Sequence, residues 1–440
     1  MASNRNSKRR KNNVISYDAY LNGDLDNRNY QRVEYRTTSN NERNKRARTK
    51  SAERFAKLKD YSLLFTLLLL IIFGLIMLYS TSSYEAYATY SDSAYYFKKQ
   101  LQASLLGLGV MLLVAIFPYR YLDKMAVFLY FASVLLVLMI IPFGRTVNGA
   151  RRWIYIGSLS IQPAEISKIT VIILTARILC RTKLKRYRGL IGWIKLFFRV
   201  MWPSIVQAGL LYSVTRNMSS AMIVLFIGLG MLFVASRKVW PYFLLAGLGA
   251  GAGAVWIRHV ISADQAATAA STTSDISFRG ERILAWLEPE KYSGETAFQT
   301  LQALYGIGSG GIFGKGLGNS VQKLGYIPEA QNDMIFSVIC EELGIFGAFC
   351  VIAIFILLCY QILTIAENAS DEYGGLLASG VMVHIAIQVI LNIAVVTNTI
   401  PNTGVTLPFI SYGGTSVVLL LAEMGMVMSV SRNIRLQVEE

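Results

Sequence analysis

The chain has 440 residues, 53% of them hydrophobic and only 16% charged, with a mean hydropathy of +0.42. Soluble domains carry about 25% charged residues, so this balance excludes a water-soluble globular protein and indicates an integral membrane protein. The formal charge of +16 is uneven, because the first 60 residues hold 16 Lys+Arg against 7 Asp+Glu.

That basic stretch, residues 1–59, is rich in Asn, Arg and Ser and lacks apolar periodicity. It cannot bury a core and is expected to be a disordered cytoplasmic tail. Its run from Arg43 to Lys50 lies shortly before the first apolar segment, which suits an anchor on anionic lipid better than a nucleic-acid site. That first segment is too long and too far along the chain for a secretory signal peptide.

Segments long enough for a bilayer fall near 61–80, 101–117, 125–142, 163–180, 200–214, 218–235, 240–261, 333–359, 376–396 and 411–431. The expected fold is therefore an all-α integral membrane protein of about ten transmembrane helices. A large extracytoplasmic loop, 262–332, separates helices 7 and 8. The membrane domain is read as 60–432, followed by a cytoplasmic C-terminal tail, 433–440. The fifth segment is shortened by Trp202-Pro203 and by Thr215-Arg216-Asn217. Lys and Arg concentrate in the tail, in 181–199 and in 236–238, so these face the cytoplasm, as do both termini. The acidic loop of Glu367, Asp371 and Glu372 breaks the pattern. In the seventh segment Gly247, Gly249, Gly251 and Gly253 permit close helix contact. Cys180, Cys340, Cys350 and Cys359 lie in or beside apolar runs without CxxC spacing, as buried apolar residues do.

Four constellations carry chemistry. Asn148–Ile154 places Arg151 and Arg152 beside Trp153, a combination suited to an anionic headgroup. Gln162–Lys168 follows, with Pro163 at a helix start and Glu165 and Lys168 three residues apart on one face. Charges there are costly unless paired or facing water, so a polar cavity and a structural ion pair are both open.

The second constellation lies in the large loop. Ile276–Leu287 reads as an amphipathic helix in the membrane interface carrying Arg279 and Arg282, and Ala297–Tyr305 as another helix. Glu288, Glu290 and Glu295 surround Pro289 and Gly294. The glycines of 308–311 and 314–318, with Lys315 and Lys323, form either turns or a phosphate cradle. The third is Tyr326–Phe336, where Asn332 or Asp333 suits a helix cap, leading to Glu341 and Glu342. Carboxylates at that depth are functional candidates. The fourth is Leu407–Ser416, a glycine-broken start to the last helix.

Together these motifs resemble the SEDS family of shape, elongation, division and sporulation proteins, typified by FtsW and RodA. The matching stretches are GARRWI with QPAEISK, GLGNSVQKLGYIPEAQNDMIFSVICEELGIFG, NTGVTLPFISYGGTS, and GLIMLYSTSS in the first segment, across residues 60–432. The TLPFISYGG form is closer to the division branch, FtsW with its sporulation relative SpoVE, than to RodA. The resemblance implies a peptidoglycan glycosyltransferase in the bacterial inner membrane that polymerises lipid II, the undecaprenyl-diphosphate-linked disaccharide-pentapeptide. It also implies a class B penicillin-binding protein and other divisome proteins as partners at the septum.

Substrate-binding roles carry over to Arg151, Arg152, Trp153, Glu165, Lys168, Arg282, Gln299, Lys315, Gln322, Lys323, Glu329, Asp333 and Ser411. No organic cofactor is implied, and a divalent cation is compatible with a diphosphate. The sequence departs from the family pattern at Arg216-Asn217, Gln331 and Asn332. It departs most at Tyr292, which stands where the family has its catalytic Asp, while Pro289 and Gln299 keep the spacing. Tyrosine is a poor base at neutral pH, so Glu295 or Glu290 is expected to act instead. Two other functions fit the chain: a lipid II transporter, and an inactive scaffold for the penicillin-binding protein.

Overall fold

The computed structural model describes residues 61–434 apart from 148–149, 157–158, 188, 237–238, 270–277 and 292–294. The basic tail and residues 435–440 lie outside the described residues.

The chain forms α1 (Tyr61–Tyr90), α2 (Tyr95–Ile116), α3 (Arg120–Leu138) and a short α4 (Ile140–Phe143). Three strands follow: β1 (Gly144–Val147), β2 (Ala150–Ile156) and β3 (Leu159–Ile161). Then come α5 (Pro163–Cys180), α6 (Gly189–Thr215), α7 (Met218–Ser236) and α8 (Trp240–Ala269). The last five helices are α9 (Phe278–Leu287), α10 (Glu295–Ser309), α11 (Ile335–Glu367), α12 (Glu372–Val396) and α13 (Gly414–Ser431).

Among the described residues nine helices are long and apolar enough to cross a membrane. The fourth expected span, α5, is not one of them, because it carries Glu165, Lys168 and Arg177 in 18 residues. It occupies the middle of the bundle, packed by α3, α6, α7 and α12. Protein rather than lipid covers those charges, which is how ionised groups survive at this depth.

Two local expectations are corrected. The fifth span is long, since α6 runs 27 residues through Pro203, whose carbonyl accepts from the Tyr130 hydroxyl at 2.9 Å. The stretch between α4 and α5 holds an antiparallel sheet in the order β1-β2-β3, with Trp153 paired to Arg145 across β1 and β2. Among the described residues the α8 glycines meet no close neighbour, for none lies within 4 Å of where their side chains would stand.

Close helix approach is found elsewhere. α2 packs closely along α13. A Cβ on Gly107 would meet Leu421 Cδ1 at 2.6 Å, and one on Gly425 would meet the Met111 carbonyl at 2.5 Å. Missing side chains let these backbones approach, as packing in lipid requires.

At the end of the bundle remote from the sheet, Asp371 accepts from Gly374 N, capping α12, and from Tyr119 Oη and Arg120 Nε at 2.8 and 3.1 Å. The acidic loop that breaks the charge pattern thus has a structural use.

Candidate functional site

α11 is broken near its first third. Gly344 takes φ +69° and ψ −169°, which ends one helical segment and starts another. A break leaves backbone groups unpaired, and within a membrane they must be satisfied by protein. The glycine-rich loop does this. Lys315 N donates to the Glu341 carbonyl, Gly316 N to that of Glu342, and Ile345 N and Phe346 N donate to Gly311 and Ile312. A Cβ on Gly310 would stand 2.0 Å from the Cys340 carbonyl, so only glycine fits.

These N–H groups are occupied, which corrects the phosphate-cradle expectation for 314–316. The two lysines are occupied as well. Lys315 Nζ lies 2.6 Å from Glu341 Oε1, and buried Lys323 lies 2.8 Å from Glu342 Oε1. Glu342 also accepts from Ser80 of α1. Glu341 accepts from Ser320 Oγ and from Val321 and Gln322 N. This double pair fastens residues 309–323 to the break. Lys315 and Lys323 thus hold glutamates through their side chains, whereas Gln322 takes part only through its backbone N–H.

A second buried pair lies near the start of α5. Glu165 Oε1 and Lys168 Nζ are 2.7 Å apart, with Lys168 only 2% exposed. Ser416 of α13 donates to Glu165 at 3.0 Å, and Lys168 to Gln388 of α12 at 3.4 Å. One helical turn deeper on α12, His384 Nδ1 is 2.8 Å from Glu423 Oε2. Ser411 is also internal: its Oγ accepts from Leu407 N at 2.8 Å and closes the turn before α13, so it is not presented to a ligand.

A third group collects at the sheet end of the bundle from five separate segments. Ile283 and Leu284 of α9 pack on Val260 and Ile257 of α8. The amphipathic helix thus buries its apolar face against protein rather than lying free in the interface. From the same helix Trp286 Nε1 donates to the Asn398 carbonyl at 2.9 Å, and Arg282 Nη1 to the Asn402 carbonyl at 3.1 Å. Asn402 Nδ2 donates to Gln299 Oε1 of α10 at 3.0 Å. Gln299 Nε2 in turn reaches the Pro328 carbonyl at 3.3 Å and Asp333 Oδ1 at 3.5 Å. Asn392 of α12 donates to the Asp333 and Val405 carbonyls, both at 2.7 Å.

Asp333 does not cap α11. Met334 holds the cap position, without a side-chain bond. The Asp333 carboxyl instead faces the cluster half-buried, and burial pushes it up to about 6. Glu329 adds to that rise, while Arg282 opposes it. Burial disfavours the charged form of half-buried Arg282, and the nearby charge of Arg152 repels it further. An anionic ligand between them relieves both penalties.

Of the remaining expected residues, Arg151 and Arg152 are exposed on β2 and Trp153 is half-buried. Glu329 is exposed and accepts from Asn332 at 2.8 Å. Glu290 is exposed on the turn after α9; Tyr292 and the side chains of Glu295 and Arg279 lie outside the described parts. Sequence reading missed Asn392 and Asn398, and it gave no role to Asn402 at the head of the NTGVTLPFISYGGTS stretch. They belong to no charged or aromatic motif, and only their convergence gives them meaning. Among the described residues no group of three His, Cys, Asp or Glu is placed to hold a metal ion.

Fold and site together define a polytopic membrane protein with a buried charged centre and a cationic, carboxylate-bearing cluster at one end. Residues 61–436 match the family model of the FtsW, RodA and SpoVE cell cycle proteins. The chain belongs to this family. It is 35% identical over 387 residues to "Probable peptidoglycan glycosyltransferase FtsW" of Bacillus subtilis, covering 86% of this chain and 92% of that one. It is 36% identical over 380 residues to the stage V sporulation protein E of the same organism, covering 85% and 97%. Among solved structures, a chain of a peptidoglycan synthase complex that coordinates polymerisation and crosslinking superposes with a TM-score of 0.66. That match has 26% identity and covers 84% of this chain and 97% of that one. The RodA of Thermus thermophilus gives 0.59 at 25% identity, over 85% and 97%.

Proposed function

We propose that this chain is a peptidoglycan glycosyltransferase of the inner membrane that polymerises lipid II into glycan strands during cell division or sporulation. The observation that carries this reading is the match along nearly the whole membrane domain to relatives named for that activity. The cluster fits the chemistry. Diphosphate leaves readily once cations balance its charge, so the reaction needs positive charge at the leaving group and a base for the attacking hydroxyl. Arg152 and Arg282 supply the first, with Gln299 and Asn402 orienting the cluster.

A class B penicillin-binding protein is the partner this reading requires, since the related complex couples polymerisation to crosslinking. The Lys and Arg distribution supports a topology with both termini in the cytoplasm and the cluster outside, where new wall is made. The septum is the corresponding site of action.

Tyr292 favours a second reading, an inactive scaffold for the same partner. One assay separates them. Purified protein with its partner is incubated with labelled lipid II and run on a gel. A ladder of glycan strands supports the enzyme; its absence, with partner binding retained, supports the scaffold.

A further inference from the structure

We propose that Asp333 is the general base of the transfer reaction in this chain, a role that rests on the polymerase reading above. Seven other described carboxylates are either paired with a cation or exposed. Glu341, Glu342 and Glu165 are buried against lysines, and Glu423 lies against His384. Glu288 pairs with Lys291 on the surface, and Glu329 and Glu290 are exposed.

Asp333 differs in three respects. It is half-buried, held by Gln299 at Oδ1 and through its backbone carbonyl by Asn392. It shares its cluster with Arg282, so base and leaving-group cation stand together. Its Oδ2 faces Gly404, where a Cβ would lie 3.7 Å away and where φ of +68° favours glycine. The charged groups acting on it are Arg282 from α9 and Glu329 from its own loop; α10, α12 and residues 402–404 present the neutral Gln299, Asn392, Asn402 and Gly404.

In the proposed step the acceptor sugar hydroxyl attacks the anomeric carbon of the donor. The new C–O bond forms as the anomeric carbon–phosphate oxygen bond breaks. The electron pair leaves with the lipid diphosphate beside Arg282 and Arg152. The hydroxyl proton passes to Asp333 and is then lost to water.

The test measures strand formation from labelled lipid II by the full chain with its partner, for native protein, D333N, D333E, E290Q and E295Q. The expected result is a loss of about 10²–10⁴-fold in D333N, the usual contribution of a general base. Lipid II binding should hold in D333N with a melting temperature no lower than native, D333E should recover part of the rate, and the glutamine variants should stay within about threefold of native. The native rate should climb as pH rises through about 6, because the base works only when deprotonated. If D333N fails to fold, D333E with a displaced pH profile carries the same inference, and D333E indistinguishable from native overturns it. A polymerising native chain whose D333N matches it, or whose loss appears in E290Q or E295Q, overturns the role of Asp333 alone. A native chain that makes no strands removes the polymerase reading and this role with it.

Discussion

Lys323 and Asp333 show how little a residue type says about its use. Lys323, a cation among glycines, resembles a phosphate ligand in the sequence, yet its ammonium is enclosed by Glu342 and Ser80. Removing one member of a buried pair leaves an uncompensated charge, so Lys323→Ala should cost about 3–5 kcal/mol. Lys323→Met combined with Glu342→Met should recover most of that loss. Thermal melting in detergent checks this, and an unchanged midpoint in Lys323→Ala with lost lipid binding would return the residue to the substrate. Asp333 holds its proton more tightly when folded, near 6 against about 3.9 in an unfolded chain. Its contribution is therefore favourable below about pH 4 and lost as pH rises through 6. Asp333→Asn should melt higher than native protein at pH 7.5, with the gap closing at pH 5. A lower melting point at pH 7.5 would show that the carboxylate is structurally required there.

The broken α11 is the element on which the site depends, because it ends the buried segment that follows Asp333 and admits the 311–316 loop. Its tolerance for side chains can be probed at two glycines. Gly310→Ala drives a methyl into the Cys340 carbonyl, backbone that cannot rotate away, and overpacking of this kind costs about 1–3 kcal/mol or more. Gly308→Ala, in α10 with open space around it, should be neutral or slightly stabilising. Equal melting temperatures for the two variants would mean that the loop does not sit in the break. The four glycines of α8 were equally prominent in the sequence and serve no such contact. Spacing alone does not distinguish a glycine under a neighbour from one facing open surroundings.

Across the whole molecule, the Lys and Arg bias and the positions of the helix ends make one testable arrangement. Cysteine introduced at Glu290 should react with an impermeant thiol reagent added to intact cells, whereas one at Lys183 should react only after the membrane is opened. Both belong in a background without native cysteines, since Cys350 is exposed. Labelling in the opposite sense would put the arginine cluster in the cytoplasm and end the wall-synthesis reading. α8 stands apart in this arrangement, with only 6% of its apolar window buried, while α5 sits under four neighbours.

The residues alone determined the membrane class, the long apolar helices, the start of α5 at Pro163 and the alignment of Glu165 with Lys168. Each of these follows from composition or from spacing within one helical turn. The tertiary structure decided which charges are consumed and which remain for chemistry. Arg282 meets the Asn402 carbonyl across 120 positions, and Ser80 meets Glu342 across 262. A carboxylate becomes a base or half of a salt bridge through such distant neighbours, because burial and nearby charge set its proton affinity, and no local pattern encodes them.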